Sequence, residues 1–191
     1  MRVGVFALQG DVREHLRTLS SMGVESIEVR NAIDLASVDG LILPGGESTT
    51  ISKLIDVFGL RQELAKFISS GKAVFGTCAG MIMLANEVLD AASGQQSLEA
   101  MDISVRRNAF GSQLDSFETE IDFAGKAAKV AFIRAPIVER VGEGVEVLST
   151  LPNGAVVAVR AGNLLATAFH PELTGDNSVH EYFVEMVSNS L

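Results

Sequence analysis

The chain is poor in several residue types: it has one cysteine, no tryptophan and four prolines among 191 residues. One cysteine cannot form an internal disulfide, which fits a reducing compartment, so we expect a cytoplasmic protein. Basic residues are also few, 15 against 24 acidic ones, which gives a net charge of −9. A nucleic acid partner requires a basic surface, and this balance argues against one.

Long apolar runs and metal-ligand clusters are absent from the sequence as well. No apolar run approaches the ~18 residues of a membrane-spanning helix, which argues against a membrane partner. The apolar start lacks a cleavage site and stops at Gln9-Gly10-Asp11, so it indicates a first strand rather than a signal peptide. His15, His170 and His180 are far apart in the sequence and lack metal-binding spacing, so we expect neither a metal nor a cofactor.

Apolar residues are abundant, at 47% of the chain. The length suits one well-buried unit, and we expect a single domain over residues 1–191. Apolar runs at Val3–Leu8, Leu41–Leu43 and Ala73–Phe75 predict strands that are buried on both faces of a sheet. Segments whose apolar residues repeat at helical spacing lie between these runs. The first half therefore predicts a doubly wound, parallel α/β core. The intervening segments expected are a helix capped by Asp11 and ended by Gly23, a strand at Ser26–Arg30, and helices at Asn31–Ser37, Ser48–Phe58 and Leu60–Ser69.

The second half changes character after a polar loop at Asp90–Gln96. Its short apolar segments predict strands, and Asn153-Gly154 and Gly162-Asn163 are typical of hairpin turns. An amphipathic pattern over Asn177–Leu191 predicts a closing helix. The predicted strands are Met101–Arg106, Ser116–Ile121, Lys129–Ile133, Val145–Leu148, Ala155–Arg160 and Leu164–Ala168.

The only cysteine lies in the strongest functional motif, Gly76-Thr77-Cys78-Ala79-Gly80. A buried strand precedes it, and apolar residues as far as Val88 predict a helix after it. This pattern resembles a nucleophile elbow, a sharp strand-to-helix turn that exposes a reactive atom. Small residues suit both flanking positions because larger ones would collide with the neighbouring strand and helix. The alternative is that Cys78 is simply a small buried hydrophobic residue.

A base and an orienting carboxylate for such a thiol are found at His170-Pro171-Glu172. In an extended segment, residues two apart project to the same side, so His170 and Glu172 can address one site. A thiol nucleophile needs an imidazole base, and the imidazole needs an acceptor that selects its tautomer. The alternative is an ordinary loop with a structural histidine and a solvated glutamate.

A third motif, Pro44-Gly45-Gly46, ends a predicted strand just before a helix. Backbone N–H groups in such a turn can point at an anion, and together with the N–H of Ala79 they predict an oxyanion hole. The alternative is a plain strand-to-helix turn in which Ser48 is the N-cap. The turn lacks the lysine and the spacing of a P-loop, which argues against phosphate binding.

Together these motifs resemble class I, triad-type glutamine amidotransferases, and more closely the glutaminase subunits of pyridoxal 5′-phosphate synthases. The resemblance implies a flavodoxin-like, three-layer α-β-α fold with a doubly wound mixed sheet. The matching blocks run from residue 8 to residue 174, nearly the whole chain. They are Leu8-Gln9-Gly10, Arg13-Glu14-His15, Leu43–Thr50, Phe75–Gly80, Arg107–Gly111, Phe132–Pro136 and Phe169–Thr174.

The resemblance also implies residue roles and a partner. Cys78 would be the nucleophile, His170 the general base and then acid, and Glu172 the orienting carboxylate. The oxyanion would be stabilised by Gly46 and Ala79. Glutamine would be bound by Gly46, Glu47, Ser48, Arg107, Ile133 and Arg134. The chain would hydrolyse L-glutamine to glutamate and ammonia, and would deliver the ammonia to a separate synthase (lyase) subunit that makes pyridoxal 5′-phosphate, in vitamin B6 biosynthesis.

Two departures from the family pattern lie away from the proposed triad: Ser112 stands where arginine is usual, and Leu98–Ala100 replaces a glycine-containing turn. Other functions remain open at this level: an amidotransferase subunit of histidine or purine synthesis, a non-catalytic scaffold on the same fold, and a cysteine hydrolase or stress protein of related α/β type. His15 and His180 fall in amphipathic helices, where surface or packing roles are expected, with partner contact left open for His15.

Overall fold

The computed structural model describes residues 1–109 and 116–191. The strands in these ranges are β1 (Arg2–Phe6), β2 (Glu25–Val29), β3 (Gly40–Leu43), β4 (Ala73–Thr77), β5 (Ala85–Val88), β6 (Met101–Arg106), β7 (Ser116–Phe123), β8 (Lys126–Ile133), β9 (Ile137–Val141), β10 (Glu146–Thr150), β11 (Val156–Ala161) and β12 (Leu164–Thr167). The helices are α1 (Val12–Ser21), α2 (Ala32–Ala36), α3 (Ser48–Val57), α4 (Arg61–Ser69), α5 (Ala79–Leu84) and α6 (Ser178–Asn189), with a 3₁₀ turn at Pro171–Leu173.

The main sheet is mixed, with the strand order β2-β1-β3-β4-β12-β11-β9-β6-β5 and β10 paired to β11. The pairs from β2 to β12 are parallel, whereas β12–β11, β11–β9 and β9–β6 are antiparallel. Since crossovers between parallel strands are right-handed, this strand order puts α1 on one face of the sheet and α2 to α4 on the other. The prediction of a doubly wound, mixed three-layer α/β fold is therefore confirmed.

The parallel strands at the centre are buried along their whole length. Every residue of β3 and β4 is buried, and Leu41, Ile42, Val74 and Phe75 have no exposed surface. Strands that are covered by helices on both faces need apolar side chains on both faces, which explains why these segments read as continuous apolar runs. Among the described residues, no helix is both long and apolar enough to cross a membrane.

One predicted helix is shorter than expected, and one strand was not predicted. The helix after Cys78 ends at Leu84, and Ala85–Val88 forms β5, which pairs in parallel with β6. Short apolar runs do not distinguish helix from strand, and pairing with β6 decides the outcome here. Strand β9, whose sequence is IVERV, was not predicted, although its β-branched residues after Pro136 are typical of a strand.

The two hairpin turns are confirmed. Asn153-Gly154 lies between β10 and β11, and Gly162-Asn163 lies between β11 and β12, and both strand pairs are antiparallel. Gly154 and Gly162 have φ of +88° and +56°, a backbone conformation that glycine adopts without steric cost.

The glycines that flank Cys78 allow three elements to approach closely. A Cβ on Gly76 would lie 2.5 Å from the carbonyl of Gly80, and a Cβ on Gly80 would overlap the carbonyl oxygen of Leu43 in β3. The expected collision with the neighbouring strand and helix is therefore confirmed. It means that β3, β4 and α5 pack at a distance that only glycine permits.

We expect Gly80→Ala to lower the free energy of unfolding by about 3 kcal/mol, because the added methyl group meets backbone that cannot rotate away. Denaturant unfolding measures this loss. Gly59→Ala is the matched control, since Gly59 has φ +65° and nothing within 4 Å of an added Cβ. Only the backbone cost of about 1 kcal/mol is expected there. An equal loss in both variants would contradict the close packing at Gly80.

Candidate active site

Three segments that are distant in sequence meet at one edge of the sheet. Strands β3, β4 and β12 are neighbours and parallel, so their carboxyl ends lie side by side. The Gly45-Gly46 turn follows β3, Cys78 follows β4, and His170 lies just beyond β12. Ligands of open α/β sheets bind at such an edge. The topology therefore brings the three predicted motifs together.

Cys78 occupies a strained turn between β4 and α5. Its φ and ψ are +47° and −100°, an unusual conformation for a residue with a side chain. Its N–H donates to the carbonyl of Thr167 in β12, at 2.8 Å, which ties the turn to the neighbouring strand. Ala79 begins α5, so its N–H belongs to the first turn, where no intrahelical acceptor exists.

The His170 ring is held between the thiol and two carboxylates. Its Nδ1 lies 2.8 Å from Oε1 of Glu172 and 3.3 Å from Oδ2 of Asp11, and the ring lines the same cavity as Cys78. Burial by itself would lower the pKa of His170, but the hydrogen bonds to Asp11, Cys78 and Glu172 outweigh it and raise that pKa well above its usual value. The imidazole is therefore a strong proton acceptor.

Glu172 is the buried partner of this histidine. Its side chain has no exposed surface, and it sits in the 3₁₀ turn that begins at Pro171. Burial raises the pKa of Glu172, while the hydrogen bond from His170 and the charge of His170 oppose that shift. A buried carboxylate requires such a partner, because an unpaired buried charge is costly.

The Gly45-Gly46 turn lies directly against the His170 ring. A Cβ on Gly45 would overlap that ring and would lie 3.0 Å from the Asp11 carboxylate. The Asp11 N–H donates to the Gly45 carbonyl at 3.0 Å, and the Glu47 N–H donates to Oε1 of Gln9 at 2.9 Å. The loop after β1 thus holds the turn after β3.

Glu47, rather than Ser48, is the N-cap of α3. Its carboxylate accepts hydrogen bonds from the N–H groups of Thr49 and Thr50, at 3.3 and 2.7 Å. Burial opposes ionisation and is the largest single effect, but the hydrogen bonds from Thr49 and Thr50 together outweigh it and lower the pKa of Glu47 to about 2. The interpretation of Ser48 as the cap is therefore wrong, since a longer acidic side chain one residue earlier reaches the same N–H groups.

Ser48 and Arg107 are connected through the loop that precedes β6. The amide of Gln95 donates to Ser48 Oγ at 3.0 Å, and its carbonyl oxygen accepts from Arg107 Nη1 at 3.0 Å. Arg107 Nη2 also lies 3.7 Å from Oε1 of Glu47. Gln95 was not predicted as a site residue, and its role depends on a loop whose course local sequence does not reveal.

These elements surround a cavity of about 390 Å³. It brings together eight of the predicted site residues: Gly46, Glu47, Ser48, Cys78, Arg107, Ile133, Arg134 and His170. Ala79 and Glu172 do not line it, because Ala79 follows the elbow into α5 and Glu172 lies behind His170. Lining residues that were not predicted as site residues are Gln9, Asp11, Ile82, Asn108 and Leu173.

Asp11 is the most informative of these additions. It occupies the N-cap position of α1 but makes no side-chain capping hydrogen bond, so the predicted cap is wrong. Its carboxylate is directed to His170 instead. The signal available in the sequence was positional: Gln9 to Asp11 follow β1, which neighbours β3, and so they reach the same edge of the sheet.

Asp11, His170 and Glu172 also form a group whose potential ligand atoms lie within 4.8 Å of one another. The shared nitrogen, Nδ1 of His170, already donates to the carboxylates, so its lone pair is not free to bind a metal. Phe110, Gly111 and Ser112, which belong to the Arg107 block and to one of the family departures, lie outside the described residues.

A solved structure with the same architecture indicates to which class of protein this fold belongs. A solved structure described as a glutamine amidotransferase superposes with a TM-score of 0.92 at 47% identity, covering 97% of this chain and 98% of that one. The fold is therefore that of glutamine amidotransferases.

Sequence comparisons give the family. The SNO glutamine amidotransferase family matches residues 5–189. A protein of Nocardia farcinica is 56% identical, covering 97% of this chain and 85% of its own length. One from Corynebacterium jeikeium is 55% identical, covering 98% of this chain and 97% of its own. Both relatives are named pyridoxal 5′-phosphate synthase subunit PdxT. The chain belongs to the SNO glutamine amidotransferase family.

We expect Asp11→Asn to lower the pKa of His170, because it removes a carboxylate that hydrogen-bonds the protonated ring. An NMR titration of the histidine ring signals measures the change. Glu14→Gln removes a negative charge from the first turn of α1, where the carboxylate is not among the groups that act on His170, and should leave the pKa of His170 unchanged. An unchanged His170 pKa in Asp11→Asn would contradict the contact.

Proposed function

We propose that this chain hydrolyses L-glutamine to glutamate and ammonia through a thioester on Cys78. The observation that carries the proposal is the placement of His170 between the Cys78 thiol and the buried carboxylate of Glu172. This is the nucleophile, base and orienting carboxylate arrangement of acyl-transfer enzymes. It stands at the mouth of a cavity large enough for an amino acid substrate.

In the first step His170 takes the thiol proton and Cys78 Sγ attacks the side-chain carbonyl carbon of glutamine. The resulting tetrahedral intermediate carries a negative oxygen. His170 then gives its proton to the amide nitrogen, the C–N bond breaks, and ammonia leaves. Water, deprotonated by His170, attacks the thioester, and glutamate and the free thiol are released.

The oxyanion is stabilised by the N–H groups of Ala79 and Gly46. The Ala79 N–H is available because it begins α5. The Gly45 carbonyl oxygen accepts a hydrogen bond from the Asp11 N–H. Because the peptide bond between Gly45 and Gly46 is trans, the Gly46 N–H points away from Asp11. Two such donors aimed at the developing charge are worth several kcal/mol of transition-state stabilisation.

The charged groups of the cavity match the two ends of an amino acid. Glu47, held ionised by its hydrogen bonds, complements the α-ammonium group of glutamine. Arg107 and Arg134 complement its α-carboxylate. Ser48 and Ile133 line the space between them and, with Gly46, complete the pocket.

The ammonia is delivered to a separate synthase subunit that combines it with a pentose phosphate and a triose phosphate to make pyridoxal 5′-phosphate. Support comes from the curated relatives, which are named as subunits of pyridoxal 5′-phosphate synthase and align along nearly the whole chain. We place the reaction in the cytoplasm, which agrees with the single cysteine.

The complex of this chain with the synthase subunit, supplied with both sugar phosphates, should form pyridoxal 5′-phosphate with glutamine as the only nitrogen source. Cys78→Ala should reduce that rate at least about 10³-fold, because the nucleophile is gone. An ammonium salt should restore it, since the synthase is intact. The absorbance of the product, pyridoxal 5′-phosphate, follows the reaction.

Other outcomes would identify the rival functions. Glutamine hydrolysis without formation of pyridoxal 5′-phosphate would mean that the chain serves another pathway. Equal activity of the Cys78→Ala complex with glutamine would contradict the assigned nucleophile, and absence of glutamine hydrolysis by the unsubstituted complex would favour a scaffold.

A further inference from the structure

Two buried histidines lie behind Glu172, on the side away from the cavity. His15 comes from α1 and His180 from α6, and neither has any exposed surface. Nε2 of His15 lies 3.5 Å from Oε1 of Glu172, and Nδ1 of His15 lies 2.9 Å from Nε2 of His180. The expected packing role is therefore incomplete, because the two rings also form a row of polar contacts that leads to the Glu172 carboxylate.

The contacts select one tautomer for each ring. If His15 carried its proton on Nδ1, the Nε2 lone pair would face the Glu172 carboxylate, which is repulsive. His180 would then have to accept at Nε2 and carry a proton on Nδ1. That Nδ1 is buried and has no hydrogen-bond partner among the described residues, so a proton there would be an unsatisfied donor.

The reverse assignment gives the N–H group of each ring an acceptor. His180 Nε2–H donates to His15 Nδ1, and His15 Nε2–H donates to Thr77 Oγ1 at 3.2 Å, with Oε1 of Glu172 3.5 Å from the same nitrogen. His180 Nδ1 is then a bare acceptor, whose desolvation costs less than that of a buried donor. Both N–H groups then point in one direction, from α6 towards Thr77 and the carboxylate.

The surroundings keep both rings neutral. Phe75 packs edge-on against His15 and against His180, with centroid distances of 6.4 and 5.9 Å. Burial, the largest cause, and the proximity of the His180 and His170 rings lower the pKa of His15 well below its usual value, and burial lowers the pKa of His180 to about 4. A neutral imidazole offers one donor and one acceptor, and this is what the contacts between the two rings require.

We propose that His15 is a positioning residue for glutamine hydrolysis, which orients the Glu172 carboxylate with a second N–H and has its own tautomer selected by His180. The inference rests on the proposed function, since it requires Glu172 to orient His170. Oε1 then accepts from His170 on the cavity side and faces the His15 N–H, whose nitrogen lies 3.5 Å away, on the buried side, which favours the orientation of the carboxylate towards the base. Oε2 has no partner in the part of the chain that the structure describes.

The titratable groups that face the His15–His180 pair come from three elements. His170 and Glu172 lie in and beside the 3₁₀ turn, His180 lies on α6, and Asp11 precedes α1 and reaches Glu172 through His170. Strand β4 contributes Thr77 and Phe75, which do not titrate near neutral pH. Loss of the His15 N–H removes a donor that faces the ionised form of Glu172 from 3.5 Å, so the pKa of that carboxyl should rise further.

The first test needs no substitution. With ¹⁵N-labelled histidine, the full chain should show His15 and His180 as neutral rings at pH 7, both protonated on Nε2. The chain has three histidines, which makes the signals separable. A proton on Nδ1 of His15, or a charged His15 at pH 7, would overturn the proposal.

The second test compares His15→Leu with His15→Gln in the complex with the synthase subunit. Leucine fills space without a donor, whereas the glutamine amide can replace the Nε2–H. For His15→Leu we expect kcat for glutamine hydrolysis to fall roughly 10-fold or more, KM to stay within about twofold, and the acidic limb of the kcat profile to move to higher pH. His15→Gln should recover most of kcat and of the profile, and Glu14→Gln on the same helix should change neither.

Equal losses in His15→Leu and His15→Gln with an unmoved acidic limb would mean a purely structural role and would overturn the proposal. An unaltered kcat and profile in a folded His15→Leu protein would do the same. Should His15→Leu not fold, the ¹⁵N spectrum of the unsubstituted chain decides. Full activity of Glu172→Gln would instead refute the proposed triad, so the two failures are distinguishable.

Discussion

The hydrogen bond between His170 and Glu172 is the interaction on which the site depends. It is 2.8 Å long and joins a nearly buried imidazole to a carboxylate whose side chain has no exposed surface. Removing one member of such a pair leaves an uncompensated buried charge, at a cost of about 3–5 kcal/mol. The bond therefore orients the base and, in the same geometry, makes burial of Glu172 tolerable. Asp11 on one side and His15 on the other supply the further contacts that this short turn cannot provide alone.

Close packing between β3, β4 and α5 places the nucleophile opposite that base. Gly76 and Gly80 have no room for a Cβ, and Gly45 has none because the His170 ring lies against it. These glycines sit at the carboxyl edge of neighbouring parallel strands, where the sheet topology delivers the thiol, the turn and the base. The strained backbone of Cys78 is retained because the N–H of this residue is bonded to β12 and its neighbours are packed on both sides.

The sequence predicted the features that are encoded locally. Continuous apolar runs mark β3 and β4 because both faces of these strands are covered, and the glycine pair around Cys78 marks the elbow because the crowding is local. Apart from the N-cap of α3, which is local, the main failures concern long-range contacts. Ala85–Val88 becomes a strand through pairing with β6, and the Asp11 side chain is drawn to His170 across 159 positions of sequence rather than to its own helix. The contact between His15 and His180 spans 165 positions. No periodicity within α1 or α6 indicates which residue of the other helix it will meet.

The most direct test of the account is covalent labelling of the intact protein by a glutamine analogue that carries an alkylating diazoketone, followed by peptide mass spectrometry. We expect one label per chain, on Cys78, with labelling slowed by excess glutamine and absent in Cys78→Ala. A protein that remains unlabelled at Cys78, or that is labelled equally fast in the presence of saturating glutamine, would contradict the assignment of this elbow as the site of glutamine hydrolysis.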